Sequence, residues 1–577
     1  MKSLAIEHLP VIASAPSGVK KLRELILQLA VMGKLVPQDP NDEPAHSLLK
    51  RILEKKRSGT SSVSDPMIAK NNRGVRAAFE PPGSWVWTNL DEVAIVNPRN
   101  VVQDDVVASF VPMNLIGTTF SGQHEQQQRV WKEIKQGFTH FADGDIGIAK
   151  ITPCFENGKS CVFRNLTNGI GAGTTELHIV RTLDGTIDPR YVLAYFQSPA
   201  FLELGESKMT GTAGQKRLPK DFVRYNPFPL PPLAEQHRIV AKVDELMALC
   251  DKLEAQQNDS EAAHSLLVKT LLDTLTQTQD ADDFAASWVR IKENFHTLFT
   301  TEESVDILKQ TLLQLAVMGK LVPQDPNDEP ASELLKRIQL EGANKESGAR
   351  QPALRNPVPH QIPGSWTWAK LGQVARKITD GTHHTPVYVP AGVPFLSVKD
   401  VSSGFLDFSN TRFISREQHE ILSKRCNPKM NDILLTKVGT TGIAVSVDTE
   451  CEFSIFVSIA LIKMPEPVDT RYMTMMLNSP AVREQSTAGT EGVGNKNLVL
   501  RKISDFWIPL PPLAEQHRIV AKVDELMALC DELKWDIQAS RRLQDQVSSV
   551  MLQAAVCGES ETADDSRKQR VLSRAQT

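Results

Sequence analysis

The sequence predicts an α+β chain. Two similar globular modules of mixed helices and strands are joined by long helices that pair antiparallel as a coiled coil with pseudo-twofold symmetry. The first observation behind this prediction is a duplication: Leu27 to Ala45 recurs unchanged as Leu313 to Ala331, and Pro229 to Asp251 recurs unchanged as Pro509 to Asp531. The second is that the segments between these repeats both begin with Gly-Ser-Trp-x-Trp and then diverge almost completely. A duplicated frame therefore holds two different modules.

This arrangement divides the chain into five regions. They are an N-terminal helical region (1–53), a first variable module (80–228), a central helical region (229–338), a second variable module (360–508) and a C-terminal helical region (509–558). Polar or Gly/Pro-punctuated stretches indicate linkers at 54–80, about 276–300, 339–360 and after Gly558.

Composition limits the class of protein. The 577 residues are 41% hydrophobic and 23% charged, and no apolar run reaches the roughly 20 residues that a membrane span requires. Glu7, His8 and Pro10 interrupt the N-terminal segment, so we expect no signal peptide and a cytoplasmic location. The seven cysteines contain no Cys-x-x-Cys pair, which fits a reducing compartment. A net charge of −4 argues against a tight nucleic-acid binder that acts alone.

The duplicated segments predict the helical frame. After Pro-Leu-Pro-Pro, apolar residues recur at alternating spacings of four and three, the seam of a coiled coil. The seam residues are Ile239, Val243, Leu246, Cys250 and Leu253, and in the second copy Ile519, Val523, Leu526, Cys530 and Leu533. Pairing of the two long helices satisfies both seams. The alternative is an amphipathic helix that lies on its neighbouring module.

A shorter helix precedes the other repeat in each half. It is predicted over 20–32 and 308–318, and Gly33 and Gly319 follow at the usual C-cap position. The chain's two ends together supply one copy of what the central region contains, so we expect them to lie close to each other. A helix over about 235–277 would be on the order of 65 Å long, and antiparallel pairing would make it a ruler between two readers of a bipartite, non-palindromic DNA target.

The two modules share a skeleton despite their divergence. An apolar strand is predicted to end in Asp-Ile, at Asp145-Ile146 and Asp432-Ile433, with Lys150 and Lys437 five residues after the aspartate. Further strands are predicted over 175–180 and 455–462, and a helix is predicted to carry Tyr-x6-Ser-Pro-Ala, at 191–200 and 472–481. A Gly-Thr loop follows in each module. One mixed fold for both modules is the economical interpretation.

Candidate DNA-contacting residues are the cationic, hydroxyl and amide side chains of the loops, because such groups bind phosphates and base edges. In the first module they are Lys150, Lys159, Lys208, Thr210, Thr212, Gln215, Lys216, Arg217 and Lys220. In the second module they are Thr379, Thr382, His383, His384, Thr385, Lys437, Asn495, Lys496, Asn497 and Arg501. A solvated surface is the alternative for each of them. A metal site at the adjacent histidines is not favoured, because no third His or Cys stands at ligand spacing.

Motifs of catalysis are not found. Asn157-Gly158-Lys159-Ser160 lacks the preceding glycine of a phosphate-binding loop. Gly169, Gly171 and Gly173 precede a strand rather than a helix, so the usual anion-binding helix N-terminus is missing. Tyr225-Asn-Pro-Phe228 has one proline where amino-methyltransferases have two. We therefore predict no catalytic, cofactor-binding or metal residues in this chain.

The frame resembles a known family, the specificity subunits of type I restriction-modification systems. Pro-Leu-Pro-Pro-Leu-Ala-Glu-Gln-His-Arg-Ile-Val at 229–240 and 509–520 carries the resemblance, and the segments 33–45 and 319–331 resemble the branch often called type IB. The resemblance implies two target recognition domains that read double-stranded DNA, two methyltransferase subunits docked on the frame and two restriction subunits. It also implies that S-adenosylmethionine, ATP and magnesium belong to those partners, and that this chain is not catalytic.

Three functions remain open from the residues themselves. The first is a non-catalytic DNA-reading subunit, which the duplicated frame and divergent modules favour. The second is a free-standing DNA methyltransferase, suggested by the glycine string and Asn-Pro-Phe. The third is a protein-interaction scaffold with no DNA role, suggested by the helical seams and the acidic balance.

Overall fold

The computed structural model describes residues 12, 15–58, 79–212, 214–278, 281–340, 360–491 and 497–557. The chain forms two compact units. Unit 1 comprises Met1–Ser260 with Ser540–Thr577, and unit 2 comprises Glu261–Ala539. Each unit contains a helical frame and a module of mixed helices and strands, which confirms the predicted fold class.

The helices of the described residues are numbered here in chain order. They are α1 (Gly18–Val31), α2 (Ala45–Ser58), α3 (Leu90–Val93), α4 (Trp131–Ile134), α5 (Pro189–Phe196), α6 (Pro199–Lys208), α7 (Lys220–Tyr225), α8 (Leu233–Gln277), α9 (Ala281–Glu293), α10 (Phe295–Leu298), α11 (Glu302–Val317), α12 (Ala331–Leu340), α13 (Leu371–Val374), α14 (Arg416–Ser423), α15 (Thr470–Leu477), α16 (Pro480–Gly489), α17 (Leu500–Ser504) and α18 (Leu513–Cys557).

The strands of the same residues are numbered likewise. In the first module they are β1 (Val86–Asn89), β2 (Ala94–Val96), β3 (Val107–Val111), β4 (Gln127–Val130), β5 (Thr139–Ala142), β6 (Ile146–Ala149), β7 (Ser160–Val162), β8 (Ile170–Gly173), β9 (Leu177–Thr182) and β10 (Pro227–Leu230). In the second they are β11 (Thr367–Lys370), β12 (Lys377–Asp380), β13 (Tyr388–Val389), β14 (Val393–Leu396), β15 (Arg412–Ile414), β16 (Ile433–Thr436), β17 (Ala444–Ser446), β18 (Ser454–Ile455), β19 (Ile459–Lys463) and β20 (Trp507–Leu510).

The first sheets of the two modules have the same topology. A two-stranded ribbon joins the start and the end of each module, β1 with β10 and β11 with β20. A four-stranded sheet follows, with the order β2-β9-β6-β7 in the first module and β12-β19-β16-β17 in the second. The registers match as well, because Ile146 stands opposite Val180 as Ile433 stands opposite Ile462. The two modules therefore share one fold at this sheet.

The second sheets differ at their edges. Both contain a parallel pair, β3 with β8 and β14 with β18, and both add an antiparallel strand, β4 or β15, to the first member of that pair. The first module then extends the sheet with β5 beyond β8, whereas the second extends it with β13 beyond β15. The difference in topology between the two modules is thus concentrated in the second sheet.

The helix predicted for Tyr-x6-Ser-Pro-Ala is two helices, and this prediction was wrong. α5 ends at Phe196 and α6 begins at Pro199, with Ser198 as its extended N-cap residue. The same break separates α15 from α16 at Ser479. Proline favours the first position of a new helix and disfavours helical dihedrals in the residue before it, which explains the break.

The frame of unit 1 is built from parts distant in the sequence. Ile26 of α1, Ile239 and Cys250 of α8, and Leu552 of α18 belong to one buried cluster that continues into the first module. Ser17 Oγ donates to Asp545 Oδ1 at 2.7 Å, so the two ends of the chain lie close to each other, as the sequence predicts.

The frame of unit 2 repeats this composition. Leu308 and Leu312 of α11, Leu272 of α8, and Cys530 of α18 share one buried cluster. Each unit thus combines a short helix with the first part of one long helix and the last part of the other. The pairing of the two long helices along their whole length, the pseudo-twofold axis and the ruler concern the arrangement of the units and stay predictions.

The seam residues lie in these clusters. Ile239, Val243 and Cys250 are buried and Leu246 and Leu253 are half-buried in unit 1. In unit 2 the corresponding residues divide between the module cluster, which takes Ile519 and Val523, and the helical cluster, which takes Leu526, Cys530 and Leu533. The first turns of each long helix therefore also serve as a wall of the neighbouring module, which was the alternative considered for these residues.

The linker predicted at about 276–300 is helical for most of its length. α9 and α10 occupy it, because Ile291 and Leu298, seven residues apart, are buried in the helical cluster of unit 2. The short helices are longer than predicted: α1 begins at Gly18, and α11 begins at Glu302 behind a capping box of Thr301 and Ser304. Most of the other predicted linkers, at 59–78, 341–359 and after Cys557, lies outside the described residues.

Candidate nucleic-acid interface

Each module is held on its frame by the same set of contacts. Tyr191 and Tyr472 each donate a hydrogen bond at 2.9 Å to the carbonyl of the first proline of the long repeat, Pro229 or Pro509. Gln236 Oε1 accepts from the backbone N–H of Asp188 at 2.9 Å, and Gln516 accepts from Asp469 at the same distance. Identical frame residues therefore fix two different modules in equivalent positions within their units.

A buried carboxylate lies at the centre of each attachment. In unit 2, Trp366 Nε1 donates to Glu515 Oε2 at 2.9 Å and Gln324 Nε2 donates to Oε1 at 2.6 Å. In unit 1, Gln38 donates to Glu235 at 2.6 Å. Burial raises the pKa of both Glu235 and Glu515, although these donors and a nearby arginine favour the charged form. The first Trp of the phrase thus contacts the frame in both units, Trp366 through this hydrogen bond and Trp85 through the buried cluster that it shares with α1 and α8.

The aspartates of the shared skeleton stabilise the modules from inside. Asp145 accepts two hydrogen bonds from Arg181, at 2.7 and 2.6 Å, and Asp432 is paired with Lys463. Arg181 and Lys463 occupy equivalent positions of β9 and β19. The prediction that a strand ends in Asp-Ile was wrong, because β6 and β16 begin at Ile146 and Ile433. The aspartate before each strand instead forms an ion pair that anchors the central strand, and the sequence alone did not reveal its partner.

Three loops meet at one edge of the first module. Residues 209–212 and 214–219, here called the hairpin, lie side by side, and Thr210 and Arg217 exchange backbone hydrogen bonds, at 3.0 and 2.8 Å. Lys150 N–H donates to the carbonyl of Glu176 at 2.9 Å, and the Lys150 carbonyl accepts from Leu218 at 2.7 Å. The Arg217 guanidinium forms a two-pronged ion pair with Glu176, whose pKa it lowers. Eight of the nine predicted residues therefore lie on or beside one surface.

The members of that surface differ in exposure. Thr210, Thr212, Gln215, Lys216 and Arg217 are exposed, and Lys150 is half-buried at their base. Lys208 and Lys220 are exposed at the end of α6 and the start of α7, on either side of the hairpin. Lys159 is half-buried in the turn before β7.

The second module has an equivalent loop cluster with different side chains. Glu491 and Asn497 exchange backbone hydrogen bonds at 3.0 and 2.9 Å, where the first module has Thr210 and Arg217. The Lys437 carbonyl accepts from Leu498 at 2.8 Å, as that of Lys150 does from Leu218. Arg501 is exposed on α17 beside this loop, whereas Asn495 and Lys496 lie outside the described residues.

Lys437 is buried, unlike Lys150. Its ammonium lies 3.0 Å from Asp380 Oδ2, and the two side chains are only 5% and 3% exposed. Arg425 and His383 also approach Asp380, at 2.6 and 3.3 Å. The sheet registers place Pro98 of the first module where the second has Asp380, which explains why only Lys437 is drawn into an ion pair.

The remaining predicted residues of the second module lie near Asp380. Thr379 is buried on β12, next to Asp380. Thr382 Oγ1 accepts from the backbone N–H of His384 at 3.2 Å, and His383, His384 and Thr385 are exposed. Within the described part of the chain, no group of three or more His, Cys, Asp or Glu side chains is arranged to hold a metal ion.

One exposed arginine in each module was not among the DNA-contacting residues predicted from the sequence. The Arg129 guanidinium lies 4.1 Å above the ring of Phe110, and that of Arg412 lies 4.5 Å above the ring of Tyr388. Arg129 is on β4 and Arg412 on β15, the equivalent strands of the second sheets. Ring stacking holds an arginine fork without neutralising it. The run of amides and one cation from Gln126 to Arg129 is the sequence signal that could have revealed the first site.

A groove of about 610 Å³ lies beside this region in the first module. Side chains that donate and accept hydrogen bonds line it, among them Asn114, Gln123, His124, Arg164 and Asn165. His124 Nε2 accepts from the backbone N–H of Arg164 at 3.1 Å, and burial lowers the pKa of this histidine. The second module has a smaller cavity of about 180 Å³ beside Asp380, Thr382 and Arg425.

The two modules and their repeated frame agree with the known proteins to which this chain is similar. A family model described as the type I restriction modification DNA specificity domain matches residues 363–540. The chain belongs to the family of type I restriction enzyme specificity subunits and has their function in a restriction-modification system. The EcoAI specificity subunit of Escherichia coli is 42% identical to it, over 93% of this chain and 94% of that protein.

The chain is also similar to a second specificity subunit and to a chain of a solved structure. The EcoEI specificity subunit of Escherichia coli is 41% identical over 93% of this chain and 94% of its own length. A chain from a solved structure titled "Structural basis underlying complex assembly and conformational transition of the type I R-M system" covers 82% of this chain and 98% of its own length, at 18% identity and a TM-score of 0.49. In the described residues, no helix is both long and apolar enough to cross a membrane.

Proposed function

We propose that this chain reads a bipartite, asymmetric DNA target, with one half-site recognised by each module, and that it has no catalytic activity of its own. The main supporting observation is that the two modules are attached to the frame by identical residues but differ in the side chains of their equivalent loops. Arg217 and Glu176 form an ion pair in one module, where the other has Asn497 and the buried Ser458. Different side chains in equivalent positions read different base sequences.

The cationic side chains of the two modules support this proposal to different degrees. In the first module, the exposed hairpin residue Lys216 and the stacked Arg129 offer groups for phosphates and base edges, and Arg217 is exposed but paired with Glu176. In the second, Arg412, Arg501 and the loop 382–385 are the exposed equivalents. Lys437 is the weakest candidate of the predicted set, because its ammonium is neutralised by a buried carboxylate.

The partners follow from the family. Relatives named as specificity subunits of restriction enzymes support assembly with the other subunits of such an enzyme. We infer two methyltransferase subunits docked on the helical frame, and two restriction subunits joined through them, in the cytoplasm. S-adenosylmethionine, ATP and magnesium would be bound by those partners. The net charge of −4 fits this division of labour, because partner subunits can supply phosphate-neutralising surface.

Exchange of one module tests the proposal. Residues 80–228 are replaced by the corresponding module of another specificity subunit, and the methylated sequence is read genome-wide in cells that carry the complete system. Half of the target should change and the other half should stay. The reciprocal exchange of residues 360–508 is the matched control and should change only the other half. An unchanged target in both chimaeras, or a purified chain that binds S-adenosylmethionine unaided, would contradict the proposal.

A further inference from the structure

The apolar contacts of the two frames do not determine which short helix packs in which unit. The long repeat and the short repeat are identical in both copies, and the buried positions of the short helices are alike, with Leu22 and Ile26 of α1 equivalent to Leu308 and Leu312 of α11. Apolar burial alone is not directional, so α1 would fit the long-helix segments of either unit. The polar contacts around the short helices are different.

In unit 1 the short helix carries the cations. Lys21 Nζ lies 3.2 Å from Asp545 Oδ1 on α18 and 3.0 Å from its backbone carbonyl. Arg23 donates to Asp251 at 2.6 Å and to Glu254 at 2.7 Å, both on α8. The long helices therefore present carboxylates to a basic helix.

In unit 2 the short helix carries most of the anions. Lys534 of α18 lies 2.9 Å from Asp306 and 3.9 Å from Glu302. Glu303 accepts a hydrogen bond of 3.4 Å from Ser265 of α8. One ion pair is not reversed: Lys309 of the short helix pairs with Asp531 of the long helix, as Arg23 pairs with Asp251 in unit 1.

The repeats define which positions correspond. Extending the alignment of the repeats without gaps makes Ser17 equivalent to Glu303, Lys20 to Asp306, Glu254 to Lys534 and Ser265 to Asp545. The contact of Ser17 with Asp545 is thus the counterpart of the contact of Glu303 with Ser265, with the carboxylate moved from the long helix to the short one. The carboxylate at 254 is likewise replaced by a cation at 534, and the cation at 20 by a carboxylate at 306.

We propose that this reversal of charge selects which short helix closes which unit. The surface formed by 233–260 and 540–557 fits a basic helix, and its partner is the chain's own N-terminal helix α1. The surface formed by 261–277 and 513–539 fits the acidic helix α11. The selection acts equally on a short helix offered by a second copy of the chain.

Incorrect pairing would bring like charges together. α1 seated in unit 2 would place Lys20 where Asp306 lies, against Lys534. α11 seated in unit 1 would place Glu303 against Asp545 and Asp306 near Glu254. Each exposed pair alters an equilibrium by less than about fivefold, but several pairs that change from attraction to repulsion favour the correct helix by on the order of tenfold or more.

A charge graft in the full-length chain tests this inference. The first set of substitutions gives α1 the charged residues of α11: Ser17→Glu, Lys20→Asp and Lys21→Ile. The second set gives the long-helix surface of unit 1 the residues of unit 2: Glu254→Lys and Asp545→Ser. The readout is hydrogen exchange of the α1 amides. Either set alone should lower their protection by on the order of tenfold, and the two sets together should restore it.

The controls lie in the same molecules. Protection of the β16 amides in unit 2 reports that each variant chain is folded and should not change. The inference is overturned if the combined variant is no better protected than the graft alone, or if neither set has any effect on α1. The test is independent of DNA reading, because it uses no DNA and no partner subunit.

Discussion

The buried ion pair of Asp380 and Lys437 gives the sharpest quantitative prediction. Asp380→Ala would leave the Lys437 ammonium, only 5% exposed, without its carboxylate. Removal of one partner of a buried pair costs about 3–5 kcal/mol. Arg425 is 57% exposed and therefore adds less than about 1 kcal/mol to this loss. The second module should thus lose much of the roughly 5–15 kcal/mol that stabilises a typical domain.

The assay must report each module separately, because a chain with two units does not unfold in a single two-state transition. Hydrogen exchange of the β16 amides, Ile433–Thr436, should accelerate by about 150-fold to 4000-fold, which corresponds to about 3–5 kcal/mol. The amides of β6, Ile146–Ala149, belong to the first module and provide the internal control. They should exchange at the rate of the unaltered chain.

A double substitution separates the buried charge from other losses. Asp380→Ala with Lys437→Met removes both charges and should recover most of the protection, because an apolar pair costs far less than an unpaired ammonium. If the double variant is as labile as Asp380→Ala, or if Asp380→Ala leaves β16 unaffected, the reasoning about Lys437 is refuted. Lys437→Met alone should change DNA affinity little at neutral pH.

Four further outcomes are expected. Arg129→Ala should weaken recognition of one half-site only and Arg412→Ala that of the other, measured by binding of the assembled complex to DNA with each half-site altered in turn; equal effects on both halves would argue against the stacked arginines as separate contacts. Glu235→Gln and Glu515→Gln should gain stability relative to the unaltered chain as the pH rises from about 4.3 through the raised pKa of the carboxyl. Over that range the unaltered chain loses stability, because its folded state must give up a proton that it binds more tightly than the unfolded state does, whereas Gln does not titrate. A difference in unfolding free energy that stays constant over that range would contradict this prediction. Insertion of two helical turns between Leu253 and Leu267 should lengthen the spacer of the methylated target, and an unaltered spacer would reject the predicted ruler. Deletion of residues 545–577 should weaken assembly with methyltransferase subunits in co-purification, since Asp545 and Leu552 complete unit 1; full assembly would speak against that role.

The sequence predicted the duplicated frame well, because identity between two segments implies identical local structure. The long helices, the glycines after the short helices and the proximity of Ser17 to the C-terminal helix all follow from it. α9 was missed because the residues before Phe284 are mostly polar, and only the cluster that buries Ile291, together with Leu298 of α10, shows that this segment packs as helix.

The candidate site was predictable only in outline. The loop at Arg217 was found because cations and hydroxyls are adjacent in the sequence. The burial of Lys437 depends on Asp380, 57 residues away, and that of Asp145 on Arg181, 36 residues away. Pairings across a sheet are set by register, which spacing along a single chain does not determine. The stacked Arg129 and Arg412 were missed for the same reason, since each ring belongs to another strand.

Duplication of one module tests the central claim most directly. Residues 360–508 are placed also at 80–228, so that the identical frame contacts hold two copies of the second module, and the methylated sequence is read in cells that carry the complete system. Two inverted copies of the second module's half-site, with the first half-site lost, are predicted. Retention of the original first half-site, or methylation at a target unrelated to either half, would contradict separate reading by the two modules.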